Sequence, residues 1–567
     1  MKRVVLLTLL LSVLLALAAC NFSDSVIDVG VVELKYYDNE GEEGFNTDLY
    51  YRNDLKQAGC DPGAIYITEG EYAGYYFVYG TSNDLSGRGY HCHKSKDLSN
   101  WEFVSNCFVP EIESWSRTQL WAPEVIYDEE LGKYLLFYSA HNSNQKDGYV
   151  ATKYLGLAMA DSPAGPFVQY TGTNANGTEI GIGDPLFDIE LMDHNNPHYK
   201  EGTSFIDAHP FVDPVTGDKY LYMARTRNVH KTNSCAVVKM IDWFTPDYES
   251  YTVLVNPNQT ECDGGEVTEF DEDVINEAPQ VLYHDGTYYL TYSCNMAPDK
   301  DYCVLQAVSD SPMGPFTKIQ MSDGGMVTQV EWVWDHLSTA GSHSFVNNGE
   351  EIWIIYHQNF DREAAGTMDR AYAADRIVFV ENEKGQTVIR TNGPTYSIQP
   401  QPVTTTGYKN LAPLATVTAQ NAIDDSTVKY LNDGAFRTNE IDVIKEFEGT
   451  SVIEITLEFD EYVSAKSLLI YNSYFYDYAF YNVARVDFSF RDVVDGKNVV
   501  GTARVENLYY DFEKYSNMDY CIMRPGAPLI VEFDDMEINQ ITITISCPTG
   551  QEKVAISEIM LLGKEIE

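Results

Sequence analysis

A sequence pattern that recurs five times before residue 400 is the feature that most constrains the fold. Each copy begins with a small or polar residue, continues with a short apolar run, passes through an acidic or Asn-containing turn, and ends in a Tyr-rich run. This order of residues predicts a β-hairpin in every copy. The five copies cover residues 61–82, 122–140, 207–225, 277–293 and 342–357.

A second motif, a Ser-Asp turn followed by an aromatic run, follows several of the hairpins, so each repeat holds about four strands. It occurs at residues 95–104, 159–170 and 308–319, with a weaker version at 239–251. A four-stranded unit cannot bury a core alone, and radial packing around an axis is the natural solution. The repeat therefore predicts an all-β protein whose larger part is a five-bladed β-propeller.

Polar residues at the starts of the repeats are expected to meet at the propeller axis, because the first strand of every blade lines the central channel. Those positions hold Asp61, Glu124, Asp207, Glu277 and His343. Two carboxyl groups about 6.5–9.5 Å apart can cleave a glycosidic bond with inversion, one as general acid and one as general base. A third carboxylate near the acid would raise its pKa.

The motifs around these acids resemble glycoside hydrolase family 43, a family of five-bladed, inverting enzymes. They are CDPGAIYI, FIDAHPFVDPVTGDKYLY, INEAPQVLYHDGTYYLTYS, WAPEV, two copies of SPxGPF, and NGPT. The resemblance covers about residues 45–400. It implies that Asp61 is the general base, that Asp207 tunes the acid and orients substrate, and that Glu277 is the general acid. It also implies a substrate that contains arabinose, xylose or galactose.

Four more residues are candidates for contact with substrate: Trp121, Glu124, His343 and Arg370. Each has a structural alternative, namely blade packing for Trp121, a supporting ion pair for Glu124 and Arg370, and a buried hydrogen bond for His343. In some members of the family the His of the fifth blade binds or neighbours a central calcium. We expect no required cofactor, and a structural calcium at His343 stays open.

The N-terminus indicates export. Lys2 and Arg3 precede an apolar stretch over residues 4–19 that is too short for a comfortable membrane span. The stretch ends in Leu-Ala-Ala-Cys20, which resembles the bacterial lipobox, so residues 1–20 are expected to be a lipoprotein signal peptide. The protein would then be anchored to the cell envelope through lipid on Cys20, with residues 21–45 as a polar tether. Secretion without lipid is the alternative.

Charge and cysteine content add two expectations. Lys and Arg number 38 against 85 Asp and Glu, a formal charge of −47, which disfavours nucleic acid and suits a neutral glycan bound by a monomer. An exported chain can oxidise its cysteines, and four pairs lie at hairpin-like spacing. They are Cys92 with Cys107, Cys235 with Cys262, Cys294 with Cys303, and Cys521 with Cys547.

The pattern changes after residue 403, so we expect a propeller over residues 46–403 and a second domain over residues 407–567. Alternating strands at 452–473, 529–546 and 554–563 predict a β-sandwich. This part resembles a discoidin-type, galactose-binding-like jelly-roll, which implies a carbohydrate-binding module. The aromatic run over 471–482 could bind sugar, or it could pack between sheets or against the propeller.

Two other functions compete with inverting hydrolysis. A fructan-cleaving, retaining propeller usually shows an Arg-Asp-Pro triplet near the third blade, and this sequence has none. A non-catalytic glycan-binding lipoprotein would not need all three carboxylates. Turnover of aryl arabinofuranoside, xyloside and galactoside separates an enzyme from a binding protein.

Overall fold

The computed structural model describes residues 26–566 apart from 38–43, 54–55, 82–88, 145–152, 194–202, 228–231, 258–271, 298, 300, 329–336, 360–369, 396, 438–444 and 511–525. The fold is almost entirely β, and its larger part is a five-bladed propeller, as predicted. Blade 1 comprises strands Gly63–Tyr66, Tyr76–Tyr79, Tyr90–Ser95 and Glu102–Phe108. Blade 2 comprises Thr118–Asp128, Lys133–His141, Lys153–Ala160 and Val168–Gln169.

Blades 3 to 5 repeat the same antiparallel order. Blade 3 comprises Thr203–Val212, Lys219–Arg227, Thr232–Asp242 and Thr245–Pro246, with Thr252–Val255 added to its third strand. Blade 4 comprises Asn276–His284, Thr287–Cys294, Cys303–Ser309 and Thr317–Lys318, with Met326–Thr328 added. Blade 5 comprises Ser338–Asn347, Ile352–Asn359, Ala371–Glu381 and Thr387–Thr391. The first two strands of each blade are the hairpins that the repeat predicts.

Aromatic residues of the second strands hold neighbouring blades together. The buried Tyr79 of blade 1 donates a hydrogen bond to the carbonyl of Pro163 in blade 2, at 2.6 Å. Tyr222 of blade 3 donates in the same way to Pro312 of blade 4, also at 2.6 Å. Both prolines belong to the SPxGPF motifs, so that motif supplies an acceptor for a tyrosine that would otherwise bury an unsatisfied hydroxyl.

A short pair of strands closes the propeller, and small elements connect the blades. Tyr50–Tyr51 pairs antiparallel with Gln399–Pro400, which ties the two ends of the propeller chain together. Strands Gly172–Thr173 and Glu179–Ile180 form a separate hairpin. The described α-helices are single turns at Ile189–Met192 and Val403–Thr406. Short 3₁₀ turns lie at Tyr248–Ser250, Met321–Asp323, Ala412–Leu414, Asp425–Leu431 and Tyr476–Tyr478.

Among the described residues, the C-terminal part forms a hydrogen-bonded network around its own apolar core, with nine strands when two from the N-terminal segment are included. Its strands after the propeller are Lys409–Asn410, Thr416–Ala422, Phe447–Asn472, Asn482–Val494, Lys497–Tyr509, Pro528–Ser546 and Val554–Glu565. Alternate residues such as Ile453, Ile455 and Leu457 are fully buried, the period-two pattern of a sheet with one face on a core. Whether this unit is a discoidin-type jelly-roll stays a prediction.

The N-terminal segment corrects the expected tether over residues 21–45. Ile27–Glu33 pairs parallel with Lys497–Tyr509, and Tyr36–Tyr37 pairs antiparallel with Pro528–Ser546. Between them, Leu34 is buried in the C-terminal core. The cause is local sequence: apolar residues recur through IDVGVVELKYY, and pairing satisfies backbone groups that an exposed sheet edge would leave open. Residues 1–20, including Cys20, lie outside the described residues.

A dedicated apolar cluster joins the C-terminal sheet to the propeller. Phe436 and Tyr471 stack with ring centroids 4.6 Å apart, and the Tyr471 hydroxyl donates to the carbonyl of Ile398 at 2.9 Å. Tyr50 of the closing strand pair donates to Ser467 at 2.5 Å. These side chains are almost fully buried, so the two parts share an interface with its own core.

The described residues bear on two further features, the state of the cysteines and the presence of membrane-spanning helices. The described cysteines are thiols, although Cys294 and Cys303 lie with their sulfur atoms 3.4 Å apart, and Cys262 and Cys521 lie outside the described residues. Among the helices that are described, none has the length and apolar composition to cross a membrane.

Candidate active site

A backbone irregularity recurs in the first strand of every blade and aims side chains at the axis. Five residues, one in each of those strands or at its immediate start, have a left-handed φ of 41–55° at matching places in the blades. Blades 2 and 5 have a second such residue, Gln119 with φ 54° and Thr339 with φ 58°, and blades 2 to 5 show a break in register nearby. Bulges of this kind bend a strand and redirect a side chain, and such strain often marks functional sites. The five positions are Asp61, Ala122, Asp207, Ala278 and Ser342.

This geometry corrects the predicted register of three residues. Glu277 and His343 lie one residue from the equivalent position of their blades, and Glu124 lies two residues beyond it. Asp61 and Asp207 occupy the equivalent position itself. The repeat therefore predicts the first strands correctly, and the one- and two-residue offsets lie at bulges that the sequence does not reveal.

The first strands of all five blades line one small cavity on the axis, with a volume of about 20 Å³. A space of this size holds about one water. Asp61 and Asp207 both line it, and Glu277 adjoins it through Ala278. The predicted convergence of the repeat starts is thus seen in the structure. The lining residues are Asp61, Pro62, Ala122, Pro123, Glu124, Asp207, Ala208, Ala278, Pro279, Gln280, Ser342 and His343.

Asp61 has surroundings that hold it ionised. The Thr81 hydroxyl donates to Oδ2 at 2.6 Å, and the Arg370 guanidinium lies 3.4 Å from Oδ1. Burial works against the charge, yet the Arg370 charge and the bonds from His357 and Thr81 outweigh it, so the pKa of Asp61 lies well below its ordinary value. Thr81 in turn accepts from the backbone N–H of Ala122 at 2.8 Å, which ties the acid to blade 2.

His357 connects Arg370 to Asp61. The Nη1 of Arg370 lies 3.1 Å from Nε2 of His357, and the backbone N–H of Asp61 donates to Nδ1 of the same ring at 3.1 Å. Nδ1 also lies 3.4 Å from Oδ1 of Asp61. Burial and the neighbouring guanidinium lower the pKa of His357 to about 4, which keeps the ring neutral near pH 7. The two side chains are almost completely buried. Arg370, predicted to contact sugar, is engaged by Asp61 and His357.

Glu277 has the opposite surroundings. Asn233 donates to Oε2 at 2.9 Å and Tyr302 donates to Oε1 at 3.1 Å. Burial raises the pKa of Glu277 to about 7, and the negative charge of Asp61 adds to this, against the lowering effect of the two hydrogen bonds. Tyr302 stacks parallel to His357 at 5.6 Å, so a chain of contacts runs from Glu277 through Tyr302 and His357 to Asp61.

Asp207 is linked to Glu277 through backbone and charge. Its Oδ2 accepts from the backbone N–H of Ala278 at 3.1 Å. Burial and then the charge of Glu277 raise the pKa of Asp207 well above its ordinary value, with Lys153 opposing them. The pKa values of Asp207 and Glu277 are both raised, and the two carboxyl groups interact. They therefore titrate as a pair that holds at least one proton at neutral pH.

Trp121 directly precedes Ala122, which lines the axial cavity, and one face of its ring is occupied. The Lys153 ammonium is 3.4 Å from the ring centroid and donates to Oε1 of Gln119 at 2.6 Å. Burial lowers the pKa of Lys153 to about 8, while Asp207 favours its charged form. The side chain of Trp121 is 39% exposed, so contact with a sugar would use the part of the ring that Lys153 leaves open.

Glu124 joins blades. Its Oε1 lies 2.6 Å from Nδ1 of His209 in blade 3, and its Oε2 accepts from Gln280 in blade 4 at 2.6 Å. Both oxygens are thus committed to protein partners. The structure shows an interblade contact for Glu124, and its predicted contact with substrate stays untested.

His343 offers little to a directly bound calcium. Its Nε2 lies 2.7 Å from the Thr291 hydroxyl, and its buried Nδ1 has no partner among the described residues. Calcium takes six to eight oxygen ligands, whereas the nearby Glu124 oxygens are already engaged. Within the described ranges there is also no group of three His, Cys, Asp or Glu side chains that could hold a metal. The free Nδ1 suits a water in the axial cavity.

The structure thus brings Asp61, Asp207 and Glu277 to one site. Sequence reasoning missed five of the residues that surround them: Thr81, Lys153, Asn233, Tyr302 and His357. They lie at strand ends far from the repeat starts, and no motif in one sequence marks them. Polar residues at the ends of second and third strands were the available signal.

Comparison with known proteins finds relatives that are named as glycosidases. The chain is 29% identical over 320 residues to the β-D-galactofuranosidase xynD of Aspergillus niger, covering 55% of this chain and 77% of that protein. It is 25% identical over 223 residues to a β-xylosidase of Xylanibacter ruminicola, covering 36% of this chain and 57% of that protein.

Solved structures of similar proteins include a thermostable family-43 glycoside hydrolase, 27% identical with a TM-score of 0.47, covering 62% of this chain and 99% of that one. The sequence matches the family described as glycosyl hydrolases family 43 over residues 55–384, more than half of the chain. This match spans blades 1 to 4, the first three strands of blade 5, and Asp61, Asp207 and Glu277. The protein is therefore a glycosidase that belongs to glycosyl hydrolase family 43.

Proposed function

We propose that the protein hydrolyses glycosidic bonds with inversion, with Asp61 as general base and Glu277 as general acid. The observation that carries the proposal is the opposite perturbation of these two carboxyl groups at one axial site. Arg370 and Thr81 stabilise an ionised Asp61, whereas burial keeps a proton on Glu277 up to about pH 7. An acid and a base poised in this way are what single-displacement hydrolysis needs.

In this mechanism Asp61 takes a proton from the attacking water while Glu277 gives its proton to the leaving oxygen. The water oxygen bonds to the anomeric carbon as the glycosidic bond breaks. After one turnover Asp61 holds a proton and Glu277 is ionised, and exchange with solvent restores both. Each proton transfer contributes about 10²–10⁴ in rate in enzymes of this kind.

In this proposal Asp207 helps to position Glu277, the proton donor. It accepts from the N–H of Ala278, next to Glu277, and so fixes that segment of the strand. Because its pKa is raised, Asp207 can also keep its proton and donate a hydrogen bond to a sugar hydroxyl. Loss of Asp207 is expected to impair both the position of Glu277 and the binding of substrate.

The proposed substrate class is a neutral glycan that contains arabinose, xylose or galactose. The names of the two relatives, a β-D-galactofuranosidase and a β-xylosidase, support this range. The acidic surface, with a net charge of −47, and the acid-lined site disfavour an anionic sugar. The structure favours none of these neutral sugars over another.

Leaving-group dependence tests the assignment of the acid. Aryl β-galactofuranoside, β-xyloside and α-arabinofuranoside are assayed first, and the best is then compared with a dinitrophenyl version of the same sugar. Glu277→Gln should lower kcat about 10³-fold on the first aryl glycoside, whose leaving group is the poorer one. It should lower kcat much less on the dinitrophenyl glycoside, because dinitrophenol leaves without protonation.

Asp61→Asn serves as the matched variant, because a base is needed whatever the leaving group is. It should lower kcat on both substrates by similar factors. Equal losses for Glu277→Gln on the two substrates, or full activity in either variant, would refute the assignment.

We further propose that the chain is exported and anchored through lipid on Cys20. The sequence Leu-Ala-Ala-Cys20 after an apolar stretch supports this proposal. Labelling of cells with a radioactive fatty acid should mark the wild-type protein and leave Cys20→Ala unlabelled. An unlabelled wild type that is recovered in the culture medium would contradict the anchor.

A further inference from the structure

Two cysteines of blade 4 face each other directly beside the proposed acid. Cys294 ends the second strand and Cys303 begins the third, and the two are opposite each other in the antiparallel register. Their sulfur atoms lie 3.4 Å apart, and both side chains are fully buried. Directly opposed residues have Cα atoms about 4.5–5.5 Å apart, within the range that a disulfide spans.

Hydrogen bonds hold the described residues at the two ends of the segment between the cysteines. Asn295, which has a left-handed φ of 67°, donates through its amide to the carbonyl of Asp301 at 2.9 Å. The N–H of Tyr302 donates to the carbonyl of Asp299 at 3.1 Å. The ends of this loop are therefore fixed by short hydrogen bonds, so sulfur–sulfur bonding needs only small side-chain movements.

The cysteine pair lies at the level of the proposed acid. Glu277 is opposite Ser293 in the register of blade 4, and Cys294 is the next residue. Tyr302, the residue before Cys303, donates its hydroxyl to Glu277. The Tyr302 ring also packs closely against Gly341, because a Cβ added at Gly341 would lie 2.4 Å from the ring. A covalent bond at Cys303 would thus restrain the residue that hydrogen-bonds Glu277.

We propose that Cys294 and Cys303 form a disulfide in the mature protein and that this bond holds Tyr302 against Glu277. The S–S bond is about 2.05 Å long, so the sulfurs approach by roughly 1.3 Å. Two thiols react with one small-molecule disulfide by two successive exchanges, which yields the protein disulfide and two small-molecule thiols. Two electrons pass from the cysteine sulfurs to the small disulfide.

Burial determines when the bond forms. Both sulfurs are inaccessible in the folded blade, and burial raises the pKa of the Cys294 thiol, which leaves little reactive thiolate there. Oxidation therefore takes place while the strands pair, before the neighbouring blades cover them. Once formed, the bond is protected from small reductants by the same packing.

Peptide mapping tests the bond itself. The protein is exported to an oxidising compartment or refolded with glutathione disulfide, alkylated in denaturant without reduction, and digested with trypsin. Trypsin cleaves after Lys300, so the disulfide should join peptide 240–300 to peptide 301–318, and reduction should separate them. Alkylation of Cys303 in the unreduced protein would overturn the proposal.

A variant removes the one ambiguity of that map. Peptide 240–300 also contains Cys262, so the digest is repeated with Cys262→Ser. Persistence of the joined peptides assigns the bond to Cys294, and their loss would overturn the proposal in favour of a bond to Cys262. Both readouts are chemical, so they stand whether or not the protein hydrolyses the glycans proposed above.

The effect on the acid rests on the proposed function and is tested by single and double replacement. Cys294→Ala, Cys303→Ala and the double variant should each lower kcat by the same factor, about 3- to 10-fold, because each removes one and the same bond. The alkaline limb of the pH profile should also move to higher pH, since the Tyr302 hydrogen bond lowers the pKa of Glu277.

Tyr302→Phe is the matched control for this second test. It should move the alkaline limb in the same direction while the joined peptides persist. Additive losses in the two single cysteine variants, with an unmoved pH profile, would show a packing effect and would contradict the role assigned to the bond.

Discussion

At the scale of single residues, two carboxyl groups acquire different chemistry from different neighbours. Arg370, His357 and Thr81 favour the charge on Asp61, whereas burial favours the proton on Glu277. The sequence predicted both acids, because each starts a repeat and stands in a family motif. It could not predict the partners, since these come from strand ends that meet only after the blades close.

The first residue-scale prediction concerns the alkaline limb of activity. Glu277 must carry a proton to act as an acid, and its pKa is raised to about 7. We expect kcat/KM to fall about tenfold for each pH unit above this value. A pH profile measured from pH 4 to pH 9 checks it, and a plateau that continues to pH 9 would contradict it.

The second prediction concerns Arg370. Its positive charge lowers the pKa of Asp61, so Arg370→Gln should raise that pKa and move the acidic limb of the profile to higher pH. The loss in kcat/KM should be about 10- to 100-fold at pH 5 and smaller at pH 7. An equal loss at both pH values, with the acidic limb unmoved, would show that Arg370 acts in another way.

The third prediction concerns stability. When the pKa of a carboxyl group is higher in the folded than in the unfolded state, its protonation favours folding. This contribution is fully present at a pH below the pKa of the unfolded state, and for Glu277 it is lost as the pH rises through about 7. Glu277→Gln removes the buried charge, so it should stabilise the protein by about 1–3 kcal/mol at pH 8 and have little effect at pH 5. Denaturant unfolding at the two pH values measures the difference, and a destabilised variant at pH 8 would contradict the account.

At the scale of elements, bulged first strands turn a repeated hairpin into a functional site. The hairpins, their order and their number were predictable from turn residues and alternating patterns, such as Gly286 in the turn of blade 4, which has a positive φ of 86°. The bulges were not, because they depend on pairing with the next strand. Glu124 is an example: it lines the axial cavity as its repeat predicts, and both of its carboxylate oxygens also contact side chains of blades 3 and 4.

Gly341→Ala tests the close packing of these elements. An added Cβ would lie 2.4 Å from the Tyr302 ring, so either the strand or the ring must move. We expect a loss of about 1–3 kcal/mol in stability and a lower kcat, because Tyr302 hydrogen-bonds Glu277. Gly183→Ala, whose nearest contact is the end of Asn144 at 3.3 Å, is the control and should change neither quantity.

At the scale of the whole molecule, the propeller and the C-terminal sheet form a joined unit that the N-terminal strands also enter. The sequence predicted two β parts and the position of the change between them near residue 403. It did not predict that Ile27–Glu33 pairs with Lys497–Tyr509, because a contact across most of the chain leaves no local signal. The apolar cluster between the C-terminal sheet and the propeller could not be predicted for the same reason.

Phe436→Ala tests how strongly the two parts support each other. Phe436 is buried against Tyr471 and Ile398 at the interface, so its removal should cost about 3–5 kcal/mol of the stability that the parts share. Calorimetry should then resolve separate unfolding transitions at lower temperature. A single transition at the wild-type temperature would contradict a stabilising interface.

The stereochemistry of the first product tests the central claim most directly. If Asp61 activates water while Glu277 protonates the leaving group, the sugar is released in one step with the opposite anomeric configuration. Proton NMR during the first minutes of hydrolysis of the best aryl glycoside should therefore show the inverted anomer, with the other anomer appearing only later by mutarotation. First appearance of the retained anomer would contradict the assignment, because retention requires a covalent glycosyl intermediate on one of these carboxylates.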